Sequence, residues 1–160
     1  MATIARTLRP YLRCIRSQRR TYADAASDEM KFTFAGGNQV FYDKTTIRQV
    51  DVPSFSGSFG ILTKHVPTLA VLKPGVVTVY EQDGSNKKIF VSSGTVTINE
   101  DNSVQILAEE AHPVEDLDSG AARDILTKAQ QQLSSATSDM DKAEAAIAVE
   151  VAEALVQASQ

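Results

Sequence analysis

Cysteine occurs once in the 160 residues, at Cys14. Everything after it is therefore without a disulfide, a thiolate nucleophile or a cysteine ligand for a metal. Histidine is almost as scarce, with only His65 and His112. No His-Glu-x-x-His helix and no cysteine pair accompany them, so the usual zinc spacings are missing and no metal or other cofactor is expected. Neither histidine has a nucleophile partner in sequence. Ser56 and Ser58 do not form a Gly-x-Ser-x-Gly elbow, and Ser92-Ser93-Gly94 reads as a strand end. Adjacent acids such as Glu109-Glu110 point to opposite faces of a strand, while Asp116 and Asp118 suit the capping of a following helix. Long apolar runs are missing too: no stretch reaches the roughly 18 residues that a membrane-spanning helix needs. These absences argue against an enzyme and against a bilayer-spanning chain.

Acids are absent from the chain before Asp24, whereas arginines stand at 6, 9, 13, 16, 19 and 20. On a helix Arg6, Arg9, Arg13, Arg16 and Arg20 share one face, and Ile4, Leu8, Leu12 and Ile15 the opposite one. An Arg-rich, acid-poor amphipathic start is the signature of a mitochondrial transit peptide, expected here over residues 1–22. A basic arm for nucleic acid is the competing reading. The Arg20-Thr21-Tyr22-Ala23 sequence looks like a processing site, with the scissile bond between Tyr22 and Ala23. Of 16 basic residues six lie in this arm, so the mature chain would carry 10 basic against 20 acidic residues, a net charge of −10. Such a surface repels phosphate backbones, which excludes nucleic acid as the expected partner. Residues 23–31 are small and polar, a flexible lead-in, with order expected from about Phe32.

Short apolar runs then follow one another with Gly, Pro, Ser, Asn or Asp at the junctions. Phe32-Thr33-Phe34-Ala35 alternates, Gly36-Gly37-Asn38 turns, and Val40-Phe41-Tyr42 resumes. That Gly-Gly lacks the spacing, the lysine and the following helix of a phosphate loop. Further runs cover Ile47 to Val52, Gly60 to Leu62, Thr68 to Leu72 and Val76 to Tyr80. Gln82 to Asn86 and Glu100 to Asn102 read as hairpin turns, and Gly94 as a bend or bulge between strands. Val77, Val79, Ile89, Val91, Val96, Ile98 and Ile106 are the expected interior positions. The density of strands predicts a ten-stranded β-sandwich over 32–113.

After Pro113 the apolar period lengthens from two to between three and four. Ala122, Ile125, Leu126, Ala129 and Leu133 form one stripe; Met140, Ala143, Ile147, Val151, Ala154 and Leu155 form another. Ser138-x-x-Asp141 resembles a capping box between them, so an antiparallel two-helix hairpin is expected over 116–158.

One combination is specific. Ser-Gly-x-x-Gly-Ile-Leu at Ser56 to Leu62, His65-x-Pro67, and Leu72-Lys73-Pro74-Gly75-Val76-Val77 together resemble the F-type ATP synthase subunit family called delta in mitochondria and epsilon in bacteria. The resemblance implies a central-stalk subunit on the matrix side of the inner membrane. It would couple c-ring rotation to the catalytic head through the gamma subunit, touching the membrane only through the c-ring. By position in the matched motif it implies that Gly57, Ser58, Phe59 and Gly60 form a turn facing the c-ring, with His65 on the same side. It also implies docking of the helical pair on gamma and the small mitochondrial epsilon subunit. Some bacterial relatives bind ATP through Ile/Leu-Asp-x-x-Arg-Ala; this chain reads Leu117-Asp118-Ser119-Gly120-Ala121-Ala122, with Ala121 where the arginine would stand. A nucleotide sensor is thus the weaker alternative, beside a small-ligand-binding sandwich.

Overall fold

The computed structural model describes residues 29–160. The expected transit peptide 1–22, its Tyr22–Ala23 cleavage site and the lead-in up to residue 28 lie outside the described residues.

Among the described residues nine strands, one fewer than the ten expected, precede two helices. The strands are β1 (Met30–Ala35), β2 (Val40–Ser54), β3 (Gly57–Leu62), β4 (Thr68–Leu72), β5 (Gly75–Glu81), β6 (Asn86–Val91), β7 (Gly94–Ile98), β8 (Ser103–Ala108) and β9 (Ala111–Pro113). A single 3-10 turn, Val114–Asp116, leads to α1 (Ser119–Ser135) and α2 (Asp139–Ala158). The first strand starts at Met30 and not at Phe32, because the Met30 side chain is itself core and Lys31 pairs with both Thr46 and Ser103.

The count falls because two expected strands are one. Val40 to Tyr42 and Ile47 to Val52 belong to the continuous 15-residue β2. Its polar middle, Asp43-Lys44-Thr45-Thr46, reads as a loop, yet the chain stays extended apart from Lys44 at φ 48 and register shifts on both sides. Those irregularities bend the strand. Its first half pairs with β1, and its second half with β3, β5 and the end of β4. The order β1-β8-β7-β4-β2-β5-β6-β9, with β1 also paired to β2, wraps two layers around one core.

All seven expected interior valines and isoleucines are buried, together with Met30, Phe32, Phe34, Val50, Val52, Ile61 and Leu72. Alternation in each strand puts these on the inner face. Gly94 is not a bulge: β7 pairs with β8 in unbroken register from Gly94↔Ala108 to Ile98↔Val104. It is a close approach, since a Cβ there would lie 2.3 Å from the Leu107 carbonyl oxygen.

The helical pair holds together by a different face than the larger side chains suggest. Asp118 caps α1 by accepting from the Gly120 and Ala121 amides, and Ser138 caps α2 by accepting from Asp141 N–H. The buried helix residues are Ala122 and Ala129 on α1 and Ala145 and Ala152 on α2, each pair seven residues apart. Methyl groups let the two backbones approach closely along this seam. The α2 stripe expected from Met140 to Leu155 lies on the far side. Its C-terminal part rests against β5, in a cleft where Ala154 and Ala158 meet Pro53, Val76 and Thr78. Toward the other end of α2, Met140 and Ile147 are exposed.

Candidate functional site

The segment from Ser54 to Leu72 carries the residues expected to make contact. β2 and β3 form a hairpin whose last pair is Ser54↔Gly57, so the turn is Phe55-Ser56. Gly57 follows at φ 120, a conformation that side chains disfavour. The expected Gly57–Gly60 turn is therefore the first part of β3, and the tip is one step earlier. Phe55 sits there 69% exposed. A large apolar ring in a two-residue turn is out of place by composition, and that was the available signal for it.

Beyond β3 the chain turns at Leu62, where the His65 amide donates to the Leu62 carbonyl at 3.2 Å. Thr68 Oγ donates to the Val66 carbonyl at 2.8 Å, and His65 Nδ1 lies 2.8 Å from the same oxygen. The loop folds back so that the His65 and Phe59 ring centroids are 6.1 Å apart. β3 and β4 both lean on β2, and a shallow groove opens between them. It gathers Gly57, Ser58, Phe59 and His65, four of the five expected residues, with Leu69 and Ala70. Gly60 is not among them. It faces outward beside Asp51 and Gln49, on the surface where the Asp51 charge raises the Tyr80 phenol above its ordinary value. The groove offers an amide-rich hairpin, one imidazole and apolar walls, which suits docking of a surface loop.

A second surface is legible only from the register. Val71 pairs with Thr95, Thr95 with Leu107, Leu107 with Ala35, and Ala35 with Val40. This outward row crosses β4, β7, β8, β1 and β2. Val40, Val71 and Leu107 are each more than half exposed, as is Leu69 one step along β4. Leu107, Ala35 and Val40 are apolar neighbours on adjacent strands, and Thr95 alone separates them from Val71, so the row is a patch and not a scatter of single exposed residues.

Among the described residues no group of three or more His, Cys, Asp or Glu is placed to hold a metal. Strong polar clusters belong to turns. Ser85 donates to Asp83, and Ser103 to Asp101, and these bonds hold both carboxyls below their ordinary values. Asp118 is engaged in capping α1, with Oδ1 2.7 Å from the Gly120 amide.

The family model described as the ATP synthase, Delta/Epsilon chain, beta-sandwich domain matches residues 29–114. The chain is 46% identical over 137 residues to ATP synthase subunit delta, mitochondrial, of Caenorhabditis elegans, covering 86% of this chain and 83% of that one. This chain belongs to the ATP synthase delta/epsilon family. A delta subunit of Kluyveromyces lactis is 44% identical, with 86% of this chain and 85% of that one covered. The delta/epsilon architecture recurs in a chain of the Euglena gracilis mitochondrial ATP synthase, described as OSCP/F1/c-ring, at a TM-score of 0.78 and 22% identity over 88% of each chain. It recurs also in a chain of the Tetrahymena thermophila mitochondrial enzyme's central stalk and c-ring, at 0.62 and 14% identity, covering 82% of this chain and 96% of that one. At those identities the likeness establishes the fold. The nine strands and two helices are thus the delta/epsilon body, and the groove and the apolar row are its outward features.

Proposed function

We propose that this chain is a non-catalytic subunit of the central stalk of a mitochondrial F-type ATP synthase, on the matrix side of the inner membrane. It couples rotation of the c-ring to ATP synthesis in the catalytic head through gamma. The observation that carries this reading, within a family of ATP synthase subunits, is the aligned apolar row on an otherwise well-formed sandwich. A monomeric ligand binder would have little use for a five-strand-wide outward patch, whereas a stalk subunit must stay attached to a neighbour under torque. We assign that row to gamma. The hairpin tip and groove, with Gly57, Ser58, Phe59 and His65, are assigned to the c-ring. The exposed Met140 and Ile147 end of the helical pair is assigned to gamma and the small mitochondrial epsilon subunit.

The same division of labour accounts for the membrane. Among the described residues no helix is long and apolar enough to cross a bilayer, so attachment runs through the ring. Depleting the protein and resolving the synthase on native gels tests the proposal. Loss of assembled enzyme, with free c-ring accumulating, is expected; unchanged assembly would sink it.

A further inference from the structure

The loop that carries His65 is held from below by a residue on a different hairpin. Asn102 ends the turn between β7 and β8, buried at 6% exposure and at φ 62. Its side-chain Oδ1 accepts the Lys64 amide at 3.0 Å, across 38 residues of sequence. Its carbonyl accepts the Lys31 amide at 3.2 Å. One residue therefore joins the start of β1, the β7–β8 turn and the β3–β4 loop. Lys64, at φ 63, is also in the left-handed region, where a side-chain-bearing residue persists only when its surroundings hold it.

We infer that Asn102 is a positioning residue for ring contact: it fixes the shape of the Lys64–Val66 loop and so the placement of His65 over the groove beside Phe59. This rests on the reading that the groove faces the c-ring. Three physical points carry it. Removing the Asn102 amide oxygen deletes the hydrogen bond that ties the Lys64 amide to the neighbouring hairpin. Asparagine tolerates the left-handed backbone that places its carbonyl toward Lys31 and its side chain toward Lys64. The rest of the turn is already closed without it, because Asp101 accepts from Ser103 N–H at 3.0 Å and Oγ at 2.6 Å and the Asn99 amide donates to the Ser103 carbonyl at 2.9 Å. The Asn102 side chain thus has a task beyond turn formation.

The test compares Asn102→Gly, which keeps the backbone conformation and deletes the acceptor, with Asn102→Asp, which keeps an oxygen in place. Asp101→Ala is the control that loosens the same turn from its other side. In the full chain, amide exchange at Lys64 should rise at least about tenfold in Asn102→Gly and stay near the parent rate in Asn102→Asp and Asp101→Ala. In synthase assembled with each variant, c-ring retention through detergent washing should fall for Asn102→Gly alone. An unchanged Lys64 exchange rate in Asn102→Gly would overturn the positioning role. A faster rate with full ring retention would leave Asn102 as the loop's anchor and sink the assignment of this loop to the ring.

Discussion

Tyr42 donates its hydroxyl to Glu81 Oε1 at 2.9 Å, joining the start of β2 to the end of β5 across 39 residues of sequence. Lys87 reaches the same oxygen at 2.9 Å and lies 5.5 Å from the Tyr42 ring centroid. The Lys87 and Tyr42 bonds lower the Glu81 carboxyl, and burial with the Glu81 bond raises the Tyr42 phenol. Tyr42→Phe should cost about 1 kcal/mol, the scale of one hydrogen bond lost at a half-buried site. It should also let the Glu81 titration move upward toward its ordinary value of 4.5. Denaturant melts and a carboxyl NMR titration measure the two effects.

Gly94 tolerates no larger residue. A Cβ would meet the Leu107 carbonyl oxygen and the Ala108 Cα at 2.3 and 2.9 Å, both backbone atoms in a register-locked pair. Gly94→Ala should destabilise the sandwich by roughly 2 kcal/mol or more, as overpacking does. The loss should appear in the thermal midpoint before any partner is added.

The turn carboxylates predict the acid limb of stability. Asp101 is held below its ordinary value of 3.8 first by the Ser103 side-chain bond and then by the Ser103 amide. Its contribution is therefore complete above 3.8 and disappears as pH falls through the lower folded value. Asp101→Asn should melt below the parent at neutral pH, with the gap closing as pH falls below 3.8. A constant gap across that range would contradict the assignment.

Substitutions on the outward row and on the exposed end of α2 should separate folding from assembly. Leu107→Ser and Ile147→Ser remove exposed side chains, so the isolated chain should change by no more than about 0.5 kcal/mol. Capture of gamma should nevertheless weaken several-fold in each. Ala152→Leu should do the reverse, splitting the helix seam first, because nothing larger than a methyl fits there.

ATP titrated into the full chain should leave its thermal midpoint unmoved. Ala121 stands where an arginine would pair with phosphate, and Asp118 is engaged by its own helix amides. A dose-dependent rise would restore nucleotide sensing as a function.

Strand interiors were legible because burial on one face imposes strict alternation: Val77 and Val79, or Val96 and Ile98, could hardly point elsewhere. The helix caps were legible for the same local reason, each needing an oxygen at a fixed offset. The tip of the β2–β3 hairpin was misplaced because glycine marks the backbone conformation after the turn, while the turn itself holds Phe55 and Ser56. On α1 the seam residues Ala122 and Ala129 stand in the expected stripe; on α2 the seam was misread because that helix is apolar on two sides. Size drew the eye to Met140 and Ile147, whereas proximity selects alanine. Asn102 left almost no trace in sequence, since its role depends on Lys64, which only the fold brings within reach.

The single length of backbone that makes up β2 runs from the layer beside β1 to the hairpin tip at Phe55 without a break in the chain. A sideways load applied at that tip is therefore carried into the opposite layer along covalent bonds and does not have to peel a ladder of hydrogen bonds.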